Sequence, residues 1–164
     1  MSIMKSIVIG SSLSGKTTLV RYLRSHTKMN VKEMDEMLTE LNDGNFPQNL
    51  KHKEALASKV IQNVLNQENI IFFTNTDYFS QEDLRLAKTL GFKIIQLNIS
   101  LRKLKIRNTQ RIENEKYDDM TPYLTGMLNY QKEISKSGLI DKVIIADQPA
   151  ELLAKSLLDY LGSC

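Results

Sequence analysis

The residues with the clearest chemical potential form one stretch, Gly10-Ser11-Ser12-Leu13-Ser14-Gly15-Lys16-Thr17. This stretch fits the P-loop pattern G-x-x-x-x-G-K-[ST] without a mismatch. The pattern predicts that backbone N–H groups surround phosphates, that Lys16 reaches the β- and γ-phosphates and that the Thr17 hydroxyl ligates Mg²⁺. Glycine at both ends lets the backbone curl around a phosphate. We therefore expect a triphosphate site formed by Gly10, Ser11, Ser12, Leu13, Ser14, Gly15, Lys16, Thr17 and Thr18.

The flanking sequence places this stretch between a strand and a helix. Residues 6–9 are apolar enough for a short buried strand, and Leu19 and Leu23 have the spacing of a helix that begins at Lys16. Unpaired N–H groups at a helix N-terminus point outward, and the helix dipole favours an anion there. An accidental glycine-rich turn is the alternative, and the context argues against it.

Asp35 follows a weaker alternating stretch, residues 29–34, and has two interpretations. It caps a short helix over residues 36–41, or its carboxylate faces the γ-phosphate from the carboxyl edge of the sheet. One residue can do both. Strand alternation would place Glu33 on the same face as Asp35. Asp77, after the third strand, is the next candidate acid.

The composition limits the class of protein. The chain has 164 residues and a formal net charge of +3, which predicts a single domain spanning residues 1–164 and gives no reason to expect nucleic acid binding. Its one cysteine is Cys164, so no internal disulfide is expected. No apolar run approaches the ~20 residues of a membrane span, and no signal peptide is recognisable, so we expect a cytoplasmic protein without membrane contact.

Hydrophobic patterns predict five strands that alternate with helices. The strands fall at residues 6–9, 29–34, 70–73, 92–98 and 141–145. Apolar rows at helical spacing separate them, as in residues 50–66. Such βαβ alternation predicts an α/β fold: a five-stranded parallel sheet flanked by helices, in three layers.

This layout, with the P-loop first and an arginine-rich segment after the fourth strand, resembles the small-molecule kinase branch of P-loop NTPases. Adenylate (nucleoside-monophosphate) kinases and shikimate kinases are its familiar members. Arg107 and Arg111 match the R-x-x-x-R that opens the lid of adenylate kinases, whose arginines hold the transferring phosphates. The resemblance implies a lid at about residues 101–118. That segment lacks a strong apolar stripe, so little packing would hold it closed without ligand.

Two further stretches carry the resemblance. Glu33-Met34-Asp35 is similar to the D-x-D of shikimate kinases, whose acids serve Mg²⁺ and the acceptor hydroxyl. Asp147-Gln148-Pro149 resembles the turn that packs against adenine, which implies nucleotide contacts for Asp147 and Pro149. Where shikimate kinases carry three glycines, this chain has Thr74-Asn75-Thr76, so the identity of the acceptor does not carry over.

These patterns lead to the hypothesis of an ATP- and Mg²⁺-dependent kinase that phosphorylates a nucleotide or metabolite. Its catalytic residues would be Lys16, Asp35, Arg107 and Arg111, with Thr17 and Asp35 at the metal. A regulatory protein that binds nucleotide without an acceptor is the alternative. A GTPase is less favoured, because the N-K-x-D and D-x-x-G motifs are missing. Either a monomer or a homodimer is compatible with the sequence.

Overall fold

A computed structural model describes residues 4–11, 13–75 and 78–162 of the chain. The strands are β1 (Lys5–Gly10), β2 (Val31–Glu33), β3 (Ile70–Asn75), β4 (Lys93–Asn98) and β5 (Lys142–Ile145). The helices are α1 (Lys16–His26), α2 (Met34–Leu41), α3 (Leu50–Leu65), α4 (Gln81–Thr89), α5 (Leu101–Glu115), α6 (Thr121–Lys136) and α7 (Ala150–Gly162). All five predicted strands are present, although β2 is shorter than its alternating pattern suggested.

The strands form one parallel sheet in the order β2-β3-β1-β4-β5. β1 lies at the centre, where Val8 pairs with Phe73 of β3 and Ile95 of β4. Since all strands run in the same direction, their carboxyl ends share one edge. The loop that follows β1 therefore lies in the middle of that edge, where open α/β sheets bind ligands.

Alternate strand residues enter two hydrophobic cores on opposite faces of the sheet. Ile7, Ile9 and Phe72 pack against α2, α3 and α4 on one face. Val8 and Phe73 pack against α1 and α7 on the other. Burial on both faces explains why β1 and β3 are continuously apolar, and it confirms the predicted three-layer α/β fold.

Side-chain caps and a proline mark the starts of three helices. Ser80 and Asp83 form a reciprocal capping box at the start of α4, and the Ser100 side chain accepts a hydrogen bond from the backbone of Lys103 in α5. Pro122 lies in the first turn of α6, where its missing N–H costs nothing. These caps fix where α4 and α5 leave the sheet edge.

The cap prediction for Asp35 is wrong. α2 begins two residues earlier than expected, so Glu33 occupies the N-cap position and Asp35 lies in the first helical turn. The alternation argument that put Glu33 and Asp35 on one strand face fails for the same reason, because the strand ends at Glu33. A carboxylate in the first turn still interacts favourably with the helix dipole.

Within the described residues, no helix is long and apolar enough to cross a membrane.

Candidate active site

The carboxyl edge of the sheet holds a cavity of about 930 Å³. The P-loop forms its floor, α2 and the end of β3 form one wall, and α5 with the start of α7 forms the other. Of the predicted site residues, the cavity is lined by Leu13, Gly15, Lys16, Thr17, Thr18, Asp35, Arg107, Arg111 and Pro149. Residues from distant parts of the chain therefore meet as the site hypothesis required.

Lys16 bonds to the P-loop itself in this structure. Its Nζ donates hydrogen bonds to the backbone oxygens of Gly10 at 2.9 Å and Ser11 at 2.6 Å, and to Ser14 Oγ at 3.2 Å. The residue is only 9% exposed. The lysine does not face solvent, because the loop offers three acceptors within its reach. The ammonium is thus held against the loop by the loop's own oxygens.

The two P-loop glycines are required for different reasons. A Cβ at Gly10 would lie 2.8 Å from Ser14 Oγ and 3.3 Å from the Leu97 Cβ, so the tight packing between loop and sheet excludes a side chain. Gly15 has φ = +94°, in the left-handed region that other residues enter at a cost. The shape of the loop depends on both positions.

Leu13 adopts φ = +69° although it is not glycine. This conformation costs about 1–2 kcal/mol for an ordinary side chain. Two contacts offset the cost. The Leu13 side chain packs into the core between α1 and α7, and its carbonyl accepts a hydrogen bond from Arg107 Nη1 at 2.8 Å.

Arg107 links α5 to two other elements. Besides Leu13, its guanidinium donates from Nη2 to the backbone oxygen of Ala146, just after β5, at 3.1 Å. Burial lowers the pKa of Arg107, and the nearby Asp147 charge opposes that shift. The guanidinium stays protonated, since no arginine releases its proton at ordinary pH. In this arrangement Arg107 holds the P-loop in place while lining the cavity.

An acidic wall faces the P-loop across the cavity, formed by Glu33 and Asp35. Thr17 Oγ1 donates to Glu33 Oε1 at 3.5 Å. Burial raises the pKa of the Glu33 carboxyl, and the negative charges of Glu36 and Asp35 raise it further. Glu36 also pairs with Arg24, at 2.9 Å, on the outer side of α2. Three carboxylates so close together favour a cation beside them.

The residues present fit a magnesium ion that accompanies a nucleotide. Mg²⁺ in such sites is held by one or two carboxylates, a hydroxyl, water and the phosphates, rather than by a full cage of side chains. Thr17, Glu33 and Asp35 supply those side-chain groups. In the part of the chain that the structure describes, no cluster of three or more histidine, cysteine or acidic residues is arranged as a metal site of its own.

Arg111, one turn after Arg107, lines the cavity differently. Its guanidinium carbon lies 3.9 Å from the centroid of the Tyr117 ring, and its Nε is 3.8 Å from Glu115 Oε2. Neither contact is with the P-loop. The two arginines of the R-x-x-x-R pattern thus have separate surroundings, one fixed to backbone and one at the surface of the cavity.

The corner between α5 and α6 is anchored by buried Asn108. Its side chain donates to Asp119 Oδ1 at 2.8 Å and accepts from the Met120 backbone at 2.9 Å. Hydrogen bonds from the side chain of Thr121, then from Asn108 and from the Thr121 backbone, lower the pKa of Asp119 to about 2. This corner positions Met120 and Tyr117, which line the cavity.

Only part of the turn that was predicted to contact adenine, residues 147–149, lines the cavity. Pro149 and its neighbour Gln148 line the cavity, whereas Asp147 is exposed and accepts a hydrogen bond from Ser100 Oγ at 3.1 Å. Asp147 is thus tied to the start of α5. Gly10, Ser11 and Ser14 likewise serve the cavity indirectly, through their bonds to Lys16. Ser12 and Asp77 lie outside the described residues.

Sequence reasoning missed Arg21 and Asn75 as cavity residues. Arg21 follows Thr17 by four residues and so shares its helix face. That spacing was the available signal. Asn75 ends β3 at the carboxyl edge, beside Gly10 in the strand register, but only the strand order could reveal this neighbour.

Known proteins were compared with this chain in sequence and in fold. No family model matches the sequence, and no curated protein matches it in sequence. Solved structures do match in fold. Shikimate kinase from Acinetobacter baumannii, in complex with shikimate, gives a TM-score of 0.78 at 14% identity, covering 99% of this chain and 94% of that one.

Two further matches agree. Shikimate kinase from Aquifex aeolicus gives a TM-score of 0.74 at 19% identity, covering 98% of this chain and 97% of that one. A gluconokinase from Sinorhizobium meliloti gives a TM-score of 0.65 at 13% identity, covering 99% of this chain and 94% of that one. The chain therefore has the fold of small-molecule P-loop kinases along nearly its whole length.

Proposed function

We propose that this protein is a kinase that transfers the γ-phosphoryl group of ATP to a hydroxyl group of a small molecule. The observation that carries the proposal is the placement of the acidic wall. Asp35 and Glu33 face Thr17 and Lys16 across one cavity, as a reaction between a bound triphosphate and a hydroxyl requires. Kinases of the same fold that act on shikimate and gluconate support it.

In this mechanism the P-loop holds the triphosphate. Its backbone N–H groups bind the phosphate oxygens, and Lys16 exchanges some of its bonds within the loop for bonds to the β- and γ-phosphates. Because the ammonium already lies at the loop, little side-chain ordering remains to be done when ATP binds. Thr17 and the acidic wall would hold Mg²⁺, which would neutralise part of the phosphate charge.

The acceptor hydroxyl would lie next to Asp35. The carboxylate accepts the hydrogen bond of the hydroxyl, orients its oxygen in line with the γ-phosphate and takes the proton as the new bond forms. Asp35 is exposed to the cavity in the first turn of α2. Its side chain can therefore reach a ligand without disturbing the core.

The arginines and the segment at about residues 101–118 complete the site. Arg111 would turn from Tyr117 towards the transferring phosphate as the segment closes like a lid. Arg107 would keep the P-loop and α5 together through its hydrogen bond to Leu13. The nucleotide base would lie beside Pro149 and Gln148, which also line the cavity.

The test is an assay of ADP formation by the purified protein with Mg²⁺-ATP and a panel of hydroxylated metabolites. We expect one chemical class of acceptor to raise ADP formation well above background hydrolysis, with the phosphorylated product detected by mass spectrometry. Binding of Mg²⁺-ATP without stimulation by any acceptor would instead favour the regulatory alternative.

A further inference from the structure

Two strands lie at the edges of the sheet, and they differ in what covers them. β2 is three residues long, and the carbonyl of Val31 accepts hydrogen bonds from Arg24 Nε at 3.3 Å and Nη2 at 3.0 Å. β5 lies at the opposite edge and, in the part of the chain that the structure describes, pairs with β4 alone. An open edge offers its backbone N–H and C=O groups to a further strand.

The ladder shows which backbone groups of β5 point outward. The N–H of Ala146 donates to the Asn98 oxygen at the end of β4, at 2.7 Å. Since alternate residues of a strand bond to opposite sides, the groups of Val143 and Ile145 point away from β4. The carbonyl of Ile145 accepts a hydrogen bond from Gln148 Nε2 at 2.8 Å. A carbonyl oxygen has two lone pairs, so it can accept a second donor.

The two outward residues also carry exposed apolar side chains. Val143 is 41% exposed and Ile145 is 60% exposed. Both lie on the face of Gln96, the β4 residue that pairs with Val143 and bonds to α6. A groove of about 500 Å³ lies along the same strand, between β5 and α7. Natural edge strands usually carry charge, proline or a bulge at such positions, so this edge is suited to being covered.

The sequence of β5 suits pairing of the strand with itself. If a two-fold axis perpendicular to the sheet passes through Ile144, Val143 of each copy lies opposite Ile145 of the other. Both residues have outward backbone groups, and such an antiparallel pair exchanges both of its N–H···O bonds. Paired residues lie on the same face, so the exposed side chains of Val143 and Ile145 would cover each other.

The charges at the ends of β5 are complementary in the same arrangement. Lys142 would lie opposite Ala146 of the second copy, next to its exposed Asp147. Asp141 would lie opposite Asp147, but its charge is already balanced by Lys88, whose Nζ is 2.6 Å from Asp141 Oδ1. Each end of the paired strands thus places a lysine beside a carboxylate, as a self-complementary surface requires.

We propose that the edge of β5 binds a second copy of this chain, with β5 paired antiparallel to β5 about a two-fold axis at Ile144. The sheet then continues from one copy into the other. The carboxyl ends of the strands point in opposite directions in the two copies, so the two cavities open at opposite edges. This inference is independent of the proposed function, because residues 142–145 do not line the cavity.

The experiment measures the mass of the purified protein by sedimentation over a series of concentrations, with hydrogen exchange on the same samples. We expect a reversible equilibrium between monomer and dimer. The amides of Val143 and Ile145 should exchange slowly when the dimer predominates and faster on dilution. The amide of Ile144, which faces β4, should be protected at every concentration and serves as the internal reference.

Two variants test the register of the pairing. Val143→Lys and Ile145→Glu each place charges opposite apolar side chains, and each should raise the Kd of the dimer about tenfold or more. An equal mixture of the two variants should recover the dimer, because the introduced ammonium and carboxylate then face each other and the other pair remains apolar. Leu50→Lys, at a position that is 63% exposed in α3, is the matched control and should leave the Kd unchanged.

Several results would overturn the proposal. A wild-type chain that stays monomeric at every accessible concentration would do so, and the strand that covers β5 would then come from another protein. A dimer that persists in both single variants, or that the mixture does not recover, would place the contact elsewhere. Melting curves verify that the variants fold, and if one does not, the mass and the amide protection of the wild type still decide.

Discussion

The two sides of the cavity differ in how far their polar groups are satisfied within the protein. On the phosphate side, Lys16 makes three hydrogen bonds inside the P-loop and Arg107 makes two to backbone oxygens. On the acidic side, Glu33 is half-buried next to like charges, with one hydrogen bond of 3.5 Å from Thr17. One side is assembled in advance, and the other has an excess of negative charge that a cation would relieve.

This difference indicates that the phosphate side serves ATP binding and the acidic side serves the chemical step. Prearranged donors reduce the ordering that ATP binding requires, so changes on the phosphate side should weaken affinity and stability together. Carboxylates that repel one another contribute little to the fold, so changes there should affect turnover and leave stability intact or improved.

The largest expected effect is on turnover, from Asp35→Asn. The change keeps the shape of the side chain and removes the charge that orients the acceptor and takes its proton. Loss of a general base costs about 10²–10⁴ in rate. Phosphoryl transfer, or background hydrolysis of ATP, should fall by that factor while ATP affinity stays close to that of the wild type.

The matched control is Glu40→Gln, which neutralises an exposed acid on the same helix and should leave turnover unchanged. Melting curves verify folding in both variants. Equal rates for Asp35→Asn and wild type would remove Asp35 from the active site.

Lys16→Ala should give the next largest effect, now on binding. Loss of a charge-assisted contact to phosphate costs about 1.5–3 kcal/mol, or roughly 10- to 100-fold in the Kd of Mg²⁺-ATP. Because the same ammonium also bonds to Gly10, Ser11 and Ser14, we expect a loss of about 1–2 kcal/mol in the free energy of unfolding.

Calorimetry and denaturant unfolding measure the two effects, with Lys28→Ala as a control for an exposed lysine. Wild-type affinity in Lys16→Ala would contradict the assignment of the P-loop.

Arg107→Met should produce a smaller, combined loss. The carbonyls of Leu13 and Ala146 lose their donor, and the left-handed backbone at Leu13 loses one of its two supports. We expect about 1–2 kcal/mol less stability and a several-fold weaker affinity for nucleotide. Lys105→Met, at an exposed position of the same helix, is the control. If Arg107→Met lowered turnover alone, the arginine would act on the transition state and not on the loop.

Hydrogen exchange should then separate the first part of α5 from its last turns and the residues that follow it. Residues 101–108 include the Ser100-capped first turn, buried Leu104 and the bonded Arg107 and Asn108, so their amides should be protected without ligand. Residues 110–118 have fewer such contacts and should exchange faster, then slow when nucleotide and acceptor bind. The amides of α4 serve as the internal reference. Full protection of residues 110–118 in the free protein would argue against a lid.

The smallest effect concerns pH and Glu33. An acid with a raised pKa in the folded state binds its proton more tightly when folded, so stability declines as the pH rises from the ordinary glutamate range through the raised pKa. Glu33→Gln should remove this decline and melt at a slightly higher temperature than wild type above that interval. Melting curves between about pH 4 and about pH 7 test it. Parallel curves for the two proteins would show that Glu33 titrates normally.

Much of this protein was determined by local sequence. The P-loop, the five alternating strands and the caps at Ser80 and Ser100 depend on neighbouring residues, whose patterns are visible in the chain. The boundary at Asp35 was predicted wrongly because an alternating stretch suited both a strand and the start of a helix, and packing of α2 on the sheet decided between them.

The tertiary structure alone decided the relations between distant residues. The strand order brings Asn75 beside Gly10, and the return of α5 to the sheet edge lets Arg107 reach Leu13, 94 residues earlier. No periodicity contains such information, since these contacts depend on how whole elements pack. The same packing brings Lys16 into contact with the oxygens of its own loop and partly buries Glu33. It decides how far each charged group stays hydrated and which groups it bonds to.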